Sequence, residues 1–209
     1  YIPEFAHPVV LDQFNAQDTT YTTLPAKSEI TIRQLLTHTS GLGYAQIGSK
    51  EANMIYGKAG VSSGIGVESG RLLSTDMKKL AKLPLFHHPG EKYTYGLNTD
   101  VLGYLVEVLS GMSLDQFFHQ RIFEPLGMND TYFYVPASKH ARIVNLYEEN
   151  EGKIKLTPGV INQNGVFIID YPKSEGTYFS GGAGLSSTVL DYAKFLQLFL
   201  NGGTFNGKR

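Results

Sequence analysis

Short amphipathic segments, each closed by a glycine or a proline, dominate the sequence and limit the folds open to it. One segment, 98–110, is followed by Gly111 and carries apolar residues at helical spacing, namely Val101, Leu102, Leu105, Val106 and Leu109. Two capping boxes, Thr31–Gln34 and Ser113–Gln116, each predict the start of a helix. Because these helices do not alternate with strands, the sequence predicts a mainly helical chain and argues against a parallel α/β sheet.

The sequence pattern changes from helical to strand-like and back to helical along the chain, so we expect an α+β organisation. Residues 1–135 form a helical part, in which 1–29 read as irregular and 45–73 as a long loop with one short helix. Residues 141–170 predict a β-hairpin, because two segments with strand-favouring residues, ARIVNLY and GKIKL, are separated by acidic residues and glycine. A return helix over 187–201 is expected to turn one apolar face inward: Val189, Tyr192, Ala193, Leu196, Phe199 and Leu200.

Three helix boundaries are predicted from single residues. Gly41 is expected to end the helix that starts after Thr31, because glycine adopts the left-handed conformation of a helix terminus. Ser74 is expected to cap the next helix. Pro125 is expected to stop the helix that starts at Ser113, since proline lacks the backbone N–H.

Composition excludes several classes of function. The net charge is −1, with 18 basic and 19 acidic residues, and the basic residues are scattered, so nucleic acid is not an expected partner. There are no cysteines, which rules out disulfides, a thiolate nucleophile and zinc–thiolate sites. The sequence has no apolar run long enough for a membrane span and no metal-binding motif.

His38 lies among hydroxyl side chains, with Thr37, Thr39 and Ser40 beside it. A general base would need a serine within reach and a carboxylate to orient its second nitrogen, and no acidic residue is near in sequence. Histidine in the last turn of a helix also interacts well with the helix dipole. We therefore interpret His38 as a helix-end residue.

Ser62 matches the G-x-S-x-G motif of α/β-hydrolases through Gly60 and Gly64. That motif needs a buried strand before the serine and a helix after it. The flanking residues predict no strand, so a chance match is the better interpretation. An α/β-hydrolase that uses Ser62 stays as an alternative.

Tyr95 ends an extended stretch and directly precedes the helix at 98. A phenol needs help to act as a base near neutral pH, and the positive end of a helix or a neighbouring ammonium provides it. The competing interpretation is a core tyrosine whose hydroxyl is hydrogen-bonded. Spacing alone leaves both open.

Four sequence blocks, taken together, resemble the serine β-lactamase superfamily. In chain order they are ITIRQLLTHTSGL, PGEKYTYGLNTDVLGYLVEVLSGMSL, IFEPLGMNDTYF and SGGAGLSSTVLDYAKF. The similarity is to the branch of class C β-lactamases, D-Ala-D-Ala carboxypeptidases and related esterases. It implies a β-lactamase/transpeptidase-like fold in which a helical domain packs beside an antiparallel sheet.

The resemblance also implies a mechanism and a site. The family forms an acyl-enzyme on the serine of an S-x-x-K motif, whose lysine shares proton transfer with a tyrosine, and Tyr95 matches that tyrosine. Leu97 stands where lactamases and carboxypeptidases have asparagine, which favours an esterase. The residues expected to line the substrate groove are Tyr44, Gln46, Leu97, Gly182 and Gly184. Expected substrates are esters, β-lactams or D-Ala-D-Ala peptides, from small molecules to peptidoglycan, without metal or organic cofactor, and the expected location is periplasmic or secreted.

The family's other two motifs are not in the sequence. No S-x-x-K and no K-[ST]-G occurs, and the H-x-G string at His88–Gly90 precedes Tyr95 instead of following it. We therefore expect the chain to be an internal piece of a longer protein, inactive by itself, with the nucleophile and the last sheet strands outside it. The alternative is an inactive homologue that binds peptidoglycan or acts as a scaffold.

Overall fold

The computed structural model describes residues 1–62, 64, 66–157, 159–162 and 166–209. The helices of this part, numbered in chain order, are α1 (Ile32–Leu36), α2 (Lys50–Lys58), α3 (Leu73–Leu80), α4 (Asn98–Ser110), α5 (Leu114–Phe118), α6 (Glu124–Leu126) and α7 (Val189–Leu200). The strands are β1 (Val9–Phe14), β2 (Tyr21–Pro25), β3 (Tyr147–Asn150), β4 (Lys153–Leu156), β5 (Val160–Asn162) and β6 (Val166–Ile168). The strands pair as three antiparallel hairpins in the described residues, β1 with β2, β3 with β4 and β5 with β6. The predicted α+β class is confirmed.

Helix α4 lies in the centre of the main hydrophobic core. Val101 of α4 belongs to one buried cluster with Leu35 of α1, Leu80 of α3 and Val10 of β1. Burial of these apolar side chains is the main force that holds the elements together. The start of α4, where Tyr95 precedes it, is therefore anchored by three other elements.

Both predicted capping boxes are present. The Thr31 hydroxyl accepts a hydrogen bond from the Gln34 N–H at 3.2 Å, and the Ser113 hydroxyl accepts one from the Gln116 N–H at 3.2 Å. The predicted bounds of α4 are confirmed, and Gly111 follows in the left-handed conformation, with φ at +68°.

The expectation that 1–29 is irregular is wrong, because β1 and β2 form a hairpin there. Strand β1 also docks on Leu85, whose N–H and C=O bond with Val9 and Leu11 at 2.8 Å each. The expected short helix within 45–73 is α2. The region 141–170 contains two hairpins where one was expected, and residues 141–142 end a 3-10 helix, Ala137–Arg142.

Two of the boundary predictions fail for local reasons. Leu72 is the N-cap of α3 and makes no side-chain cap, so Ser74 lies inside the first turn. Pro125 does not stop its helix, because α5 widens into a π-helical turn, His119–Phe123, and continues into α6. The wider turn accommodates a residue that has no N–H to donate.

Helix α7 occupies the predicted position but presents a different face. Val189 is 86% exposed and Tyr192 is 54% exposed, although both were expected to face inward. Phe195 and Leu198 pack instead against a small second cluster around Phe123. In the part of the chain that the structure describes, no helix is long and apolar enough to cross a bilayer.

Candidate active site

Tyr95 lies on an extended stretch that backbone hydrogen bonds attach to the segment 38–43. The Thr94 N–H donates to the His38 carbonyl at 2.8 Å, and the Leu97 N–H donates to the Gly43 carbonyl at 3.2 Å. The Tyr95 side chain is 53% exposed. Its backbone is thus held on both sides, while its ring stays accessible immediately before α4.

Two aromatic rings flank Tyr95. The ring of His38 stacks on it with centroids 5.3 Å apart and an interplanar angle of 26°. Tyr44, which is almost fully buried, contacts it at 5.2 Å and 49°. Offset and tilted aromatic contacts of this kind restrict the ring orientations open to Tyr95. The structure therefore brings together Tyr44 and Tyr95, two residues that the sequence placed in the site.

His38 ends helix α1 in a way that the sequence did not predict. The helix stops at Leu36, and His38 takes the left-handed conformation, with φ at +53°. The Thr39 N–H bonds the Gln34 carbonyl at 2.8 Å and the His38 N–H bonds the Leu35 carbonyl at 3.3 Å, which together make a Schellman motif. The prediction that Gly41 ends this helix is therefore wrong, because His38 occupies that position three residues earlier.

The imidazole of His38 is fixed by two buried polar residues. The Ser40 hydroxyl donates to Asn98 Oδ1 at 2.5 Å, and Asn98 Nδ2 donates to His38 Nδ1 at 3.1 Å. Burial lowers the pKa of His38, which favours the neutral ring. With Nδ1 as the acceptor, the proton of the neutral ring is on Nε2. The partner of His38 is thus an amide, not the carboxylate that a Ser–His–Asp arrangement requires.

A buried carboxylate, that of Asp100, lies near Tyr44. Asp100, on the first turn of α4, is fully buried and accepts a hydrogen bond from the Ser180 hydroxyl at 2.6 Å. Burial raises the pKa of Asp100 to about 6. The pKa of Tyr44 is also raised, first by burial and then by the nearby Asp100 charge. The site therefore rests on a cluster of buried polar groups.

Gly182 packs so closely against this cluster that a side chain at its position would not fit. A Cβ at this position would lie 2.9 Å from Asp100 Oδ2 and 3.5 Å from the Tyr44 hydroxyl. The turn that contains Gly182 follows Ser180, whose hydroxyl accepts the Gly182 N–H at 3.2 Å. A residue predicted for the groove thus lies next to Tyr44.

The other three predicted groove residues have different surroundings. Leu97 is fully buried in the core, so it offers no side chain to an accessible surface. Gln46 is half-buried, and its Oε1 has no hydrogen-bond partner among the described residues. Gly184, with φ at +97°, lies against Phe133 and Ser180.

A cleft of about 490 Å³ opens beside Tyr95 and Tyr44. Its lining is mixed, with the apolar side chains of Leu11, Phe14, Ile47 and Phe86 beside the charged ones of Asp12, Glu51 and Lys92. Pockets of this size and mixed character hold small molecules. The β1 residues were absent from the sequence prediction, because the hairpin that carries them was not recognised.

Ser62 lacks the surroundings that an α/β-hydrolase nucleophile needs. Its N–H donates to Asp76 Oδ2 at 3.1 Å, and its hydroxyl accepts the Gly64 N–H at 3.1 Å. Helix α2 and a turn precede it, and the described residues contain antiparallel hairpins with no parallel sheet. Within the same residues, no group of three or more potential ligands is placed to hold a metal ion.

Comparison with known proteins identifies the relatives of this chain. Protein Rv1367c of Mycobacterium tuberculosis is 34% identical over 209 residues, which cover 100% of this chain and 48% of that protein. The esterase EstB of Burkholderia gladioli is 32% identical over 175 residues, covering 80% of this chain and 44% of the relative. The solved structure of EstCE1, described as a hydrolase with promiscuous acyltransferase activity, superposes with a TM-score of 0.77 at 25% identity. It matches over 99% of this chain and 51% of EstCE1.

The chain thus spans about half the length of the curated relatives it matches. The sequence model of the Beta-lactamase family matches residues 8–209, which include every element of the site from His38 to Gly182. This match confirms the resemblance to serine β-lactamases that the four sequence blocks indicated. The chain belongs to the beta-lactamase family.

Proposed function

We propose that this chain is the Tyr95-bearing part of a serine hydrolase that forms an acyl-enzyme on ester substrates. The observation that carries the proposal is the placement of Tyr95. It is half-exposed, held between His38 and Tyr44, and located at the start of α4 beside a cleft of small-molecule size. Relatives named as an esterase and as a hydrolase with acyltransferase activity support acyl transfer as the chemistry.

In the proposed reaction a seryl oxygen attacks the ester carbonyl, and the ester's alkoxy group leaves with a proton. Tyr95 shares this proton transfer with a lysine: it accepts the seryl proton as the C–O bond forms and returns it to the leaving oxygen. The N-terminus of α4 follows Tyr95 closely in the chain, and the positive end of a helix stabilises negative charge on groups that lie near it. Water then hydrolyses the acyl-enzyme by the same steps in reverse.

The serine and lysine are proposed to come from a segment outside these 209 residues. The sequence contains no S-x-x-K motif, and the relatives are about twice as long as this chain. The present residues would then form most of the helical domain, with Tyr95 on the wall of a groove that the rest of the protein completes.

Esters are the proposed substrate class for two reasons. Leu97 replaces the asparagine of lactamases and carboxypeptidases, and as a fully buried residue it supplies no amide to a substrate. The cleft beside Tyr95 includes the apolar side chains of Leu11, Phe14 and Phe86, which can contact the acyl chain of an ester.

The test uses the longer protein with paired substrates. We expect hydrolysis of p-nitrophenyl acetate, weak or no hydrolysis of nitrocefin, and one covalent fluorophosphonate adduct per molecule. Efficient nitrocefin turnover would contradict the ester assignment. Binding of peptidoglycan without any covalent adduct would contradict the hydrolase proposal and favour an inactive homologue.

A further inference from the structure

The backbone at His38 is in a conformation that a histidine adopts at a cost. Its φ of +53° lies in the left-handed region, where residues with a Cβ are destabilised by roughly 1–2 kcal/mol. Glycine would close the same Schellman motif without that cost. Strain of this kind beside a candidate catalytic residue points to a use for the side chain.

The His38 side chain is anchored at one end and in ring contact at the other. Its Nδ1 accepts the amide hydrogen of Asn98, and Asn98 is itself held by the hydroxyl of Ser40. Both of these partners are completely buried, so their loss would leave unsatisfied polar groups in the core. The imidazole therefore cannot turn away from Tyr95 without a substantial penalty.

The left-handed backbone and the Asn98 hydrogen bond direct the ring of His38 onto the face of Tyr95. The His38 and Tyr95 centroids are 5.3 Å apart at an angle of 26°, which is a stacked geometry. The ring of Tyr93 also contacts His38, in a tilted geometry at 5.8 Å and 46°. Tyr95 is half-exposed, so contacts with the core restrain its ring less than they would restrain a fully buried ring. A displacement of about 1 Å in a catalytic group lowers rates by on the order of 100-fold.

We propose that His38 is a positioning residue, and that its imidazole serves as a rigid platform that holds the phenol of Tyr95 at the edge of the cleft. The inference rests on the proposed function of Tyr95. His38 itself exchanges no proton with the substrate in this account. Ser40 and Asn98 support the platform from the core.

The test compares His38→Gly and His38→Asn with the wild type in the longer protein. Both substitutions suit a left-handed backbone, and this gain offsets part of the cost of removing the imidazole partner of Asn98, so we expect both variants to stay folded with at most a small fall in the melting temperature. We expect kcat for p-nitrophenyl acetate to fall about 10- to 100-fold while KM changes little, because the lost interaction places a catalytic group. A residue that only ends the helix would give an unchanged kcat in both variants.

Crystal structures of the wild type and of His38→Gly give a readout that does not depend on activity. We expect the Tyr95 ring to be displaced or to occupy more than one rotamer once the imidazole is gone. A Tyr95 ring that keeps its place in the variant would overturn the platform, whatever the kinetics. A wild type that lacks hydrolase activity would instead contradict the proposed function, and the two structures would still decide the positioning role.

Discussion

Asp100 is a single residue whose ionisation links the site to stability. Burial raises its pKa from 3.8 to about 6, so between these values the folded protein holds a proton that the unfolded chain has lost. The contribution of Asp100 to the free energy of unfolding therefore falls as pH rises through this window. The total loss is on the order of 3 kcal/mol, and the contribution is constant above the window.

The substitution Asp100→Asn removes this titration and leaves an acceptor for the Ser180 hydroxyl. We expect the stability of the variant relative to wild type to improve as pH rises from about 4 to about 6 and then to level off. Urea unfolding at several pH values measures the difference, which cancels the contributions of the other carboxylates. A difference that does not vary with pH would contradict a raised pKa for Asp100.

Some residues of the site were predictable from sequence and some were not. Tyr95 was assigned to the candidate site because its neighbours in the chain form a family block, and His38 was predicted to be a helix-end residue. The contact of His38 with Asn98 joins residues 60 positions apart, and that of Asp100 with Ser180 joins residues 80 apart. Only the folded chain brings such pairs together. Asn98 directly follows Leu97 in the same block as Tyr95, and this position could have indicated that it belongs to the candidate site.

At the scale of elements, predictions succeeded where the signal is local. A capping box needs only residues three apart, and both boxes form as expected. Predictions failed where tertiary packing decides. Gly41 was available to end α1, yet His38 ended it, and the apolar residues of α7 divide between an exposed face and the Phe123 cluster.

The capping box of α5 gives a direct test at this scale. Ser113→Ala removes the hydroxyl that accepts the Gln116 N–H, and we expect the free energy of unfolding to fall by about 1 kcal/mol. Ser138→Ala is the matched control, since that serine is exposed in the Ala137–Arg142 turn, and its effect should stay within about 0.5 kcal/mol. Equal effects of the two substitutions on urea unfolding would contradict the role of the cap.

A second test concerns the contact between α4 and the turn after Ser180. A Cβ on Gly181 would lie 2.0 Å from the Thr99 carbonyl oxygen, so Gly181→Ala must push the turn away from α4. We expect a loss of about 1–3 kcal/mol in the free energy of unfolding. The control is Gly57→Ala in α2, where the nearest atom is 4.0 Å away and alanine should stabilise the helix by about 0.5–1 kcal/mol. A Gly181→Ala variant as stable as wild type would show that the turn does not pack closely on α4.

For the whole molecule, the order of the sequence blocks carried more information than composition or any single motif. Four blocks in family order indicated the fold that the structure and the family match now support. The β1–β2 hairpin escaped recognition because Pro3, Pro8 and Pro25 and a polar stretch obscure the alternation of a strand. It nevertheless supplies Leu11 and Phe14 to the cleft.

The whole-molecule proposal also makes a prediction about this chain alone. Because it contains no S-x-x-K motif, we expect the 209 residues to form no stoichiometric covalent adduct with a fluorophosphonate or a fluorescent penicillin. Intact-mass spectrometry after incubation measures this directly. An adduct, above all one located on Ser62, would place the nucleophile within the chain and contradict the account.

The central claim is that Tyr95 transfers the proton during acylation, and the rate of fluorophosphonate labelling in the longer protein tests it most directly. We expect Tyr95→Phe to slow labelling by about 10²- to 10⁴-fold, because it removes one hydroxyl from the proton transfer. Tyr93→Phe, on the same stretch and 65% exposed, keeps the ring that contacts His38 and should label at the wild-type rate. Equal labelling rates for Tyr95→Phe and the wild type would contradict the claim.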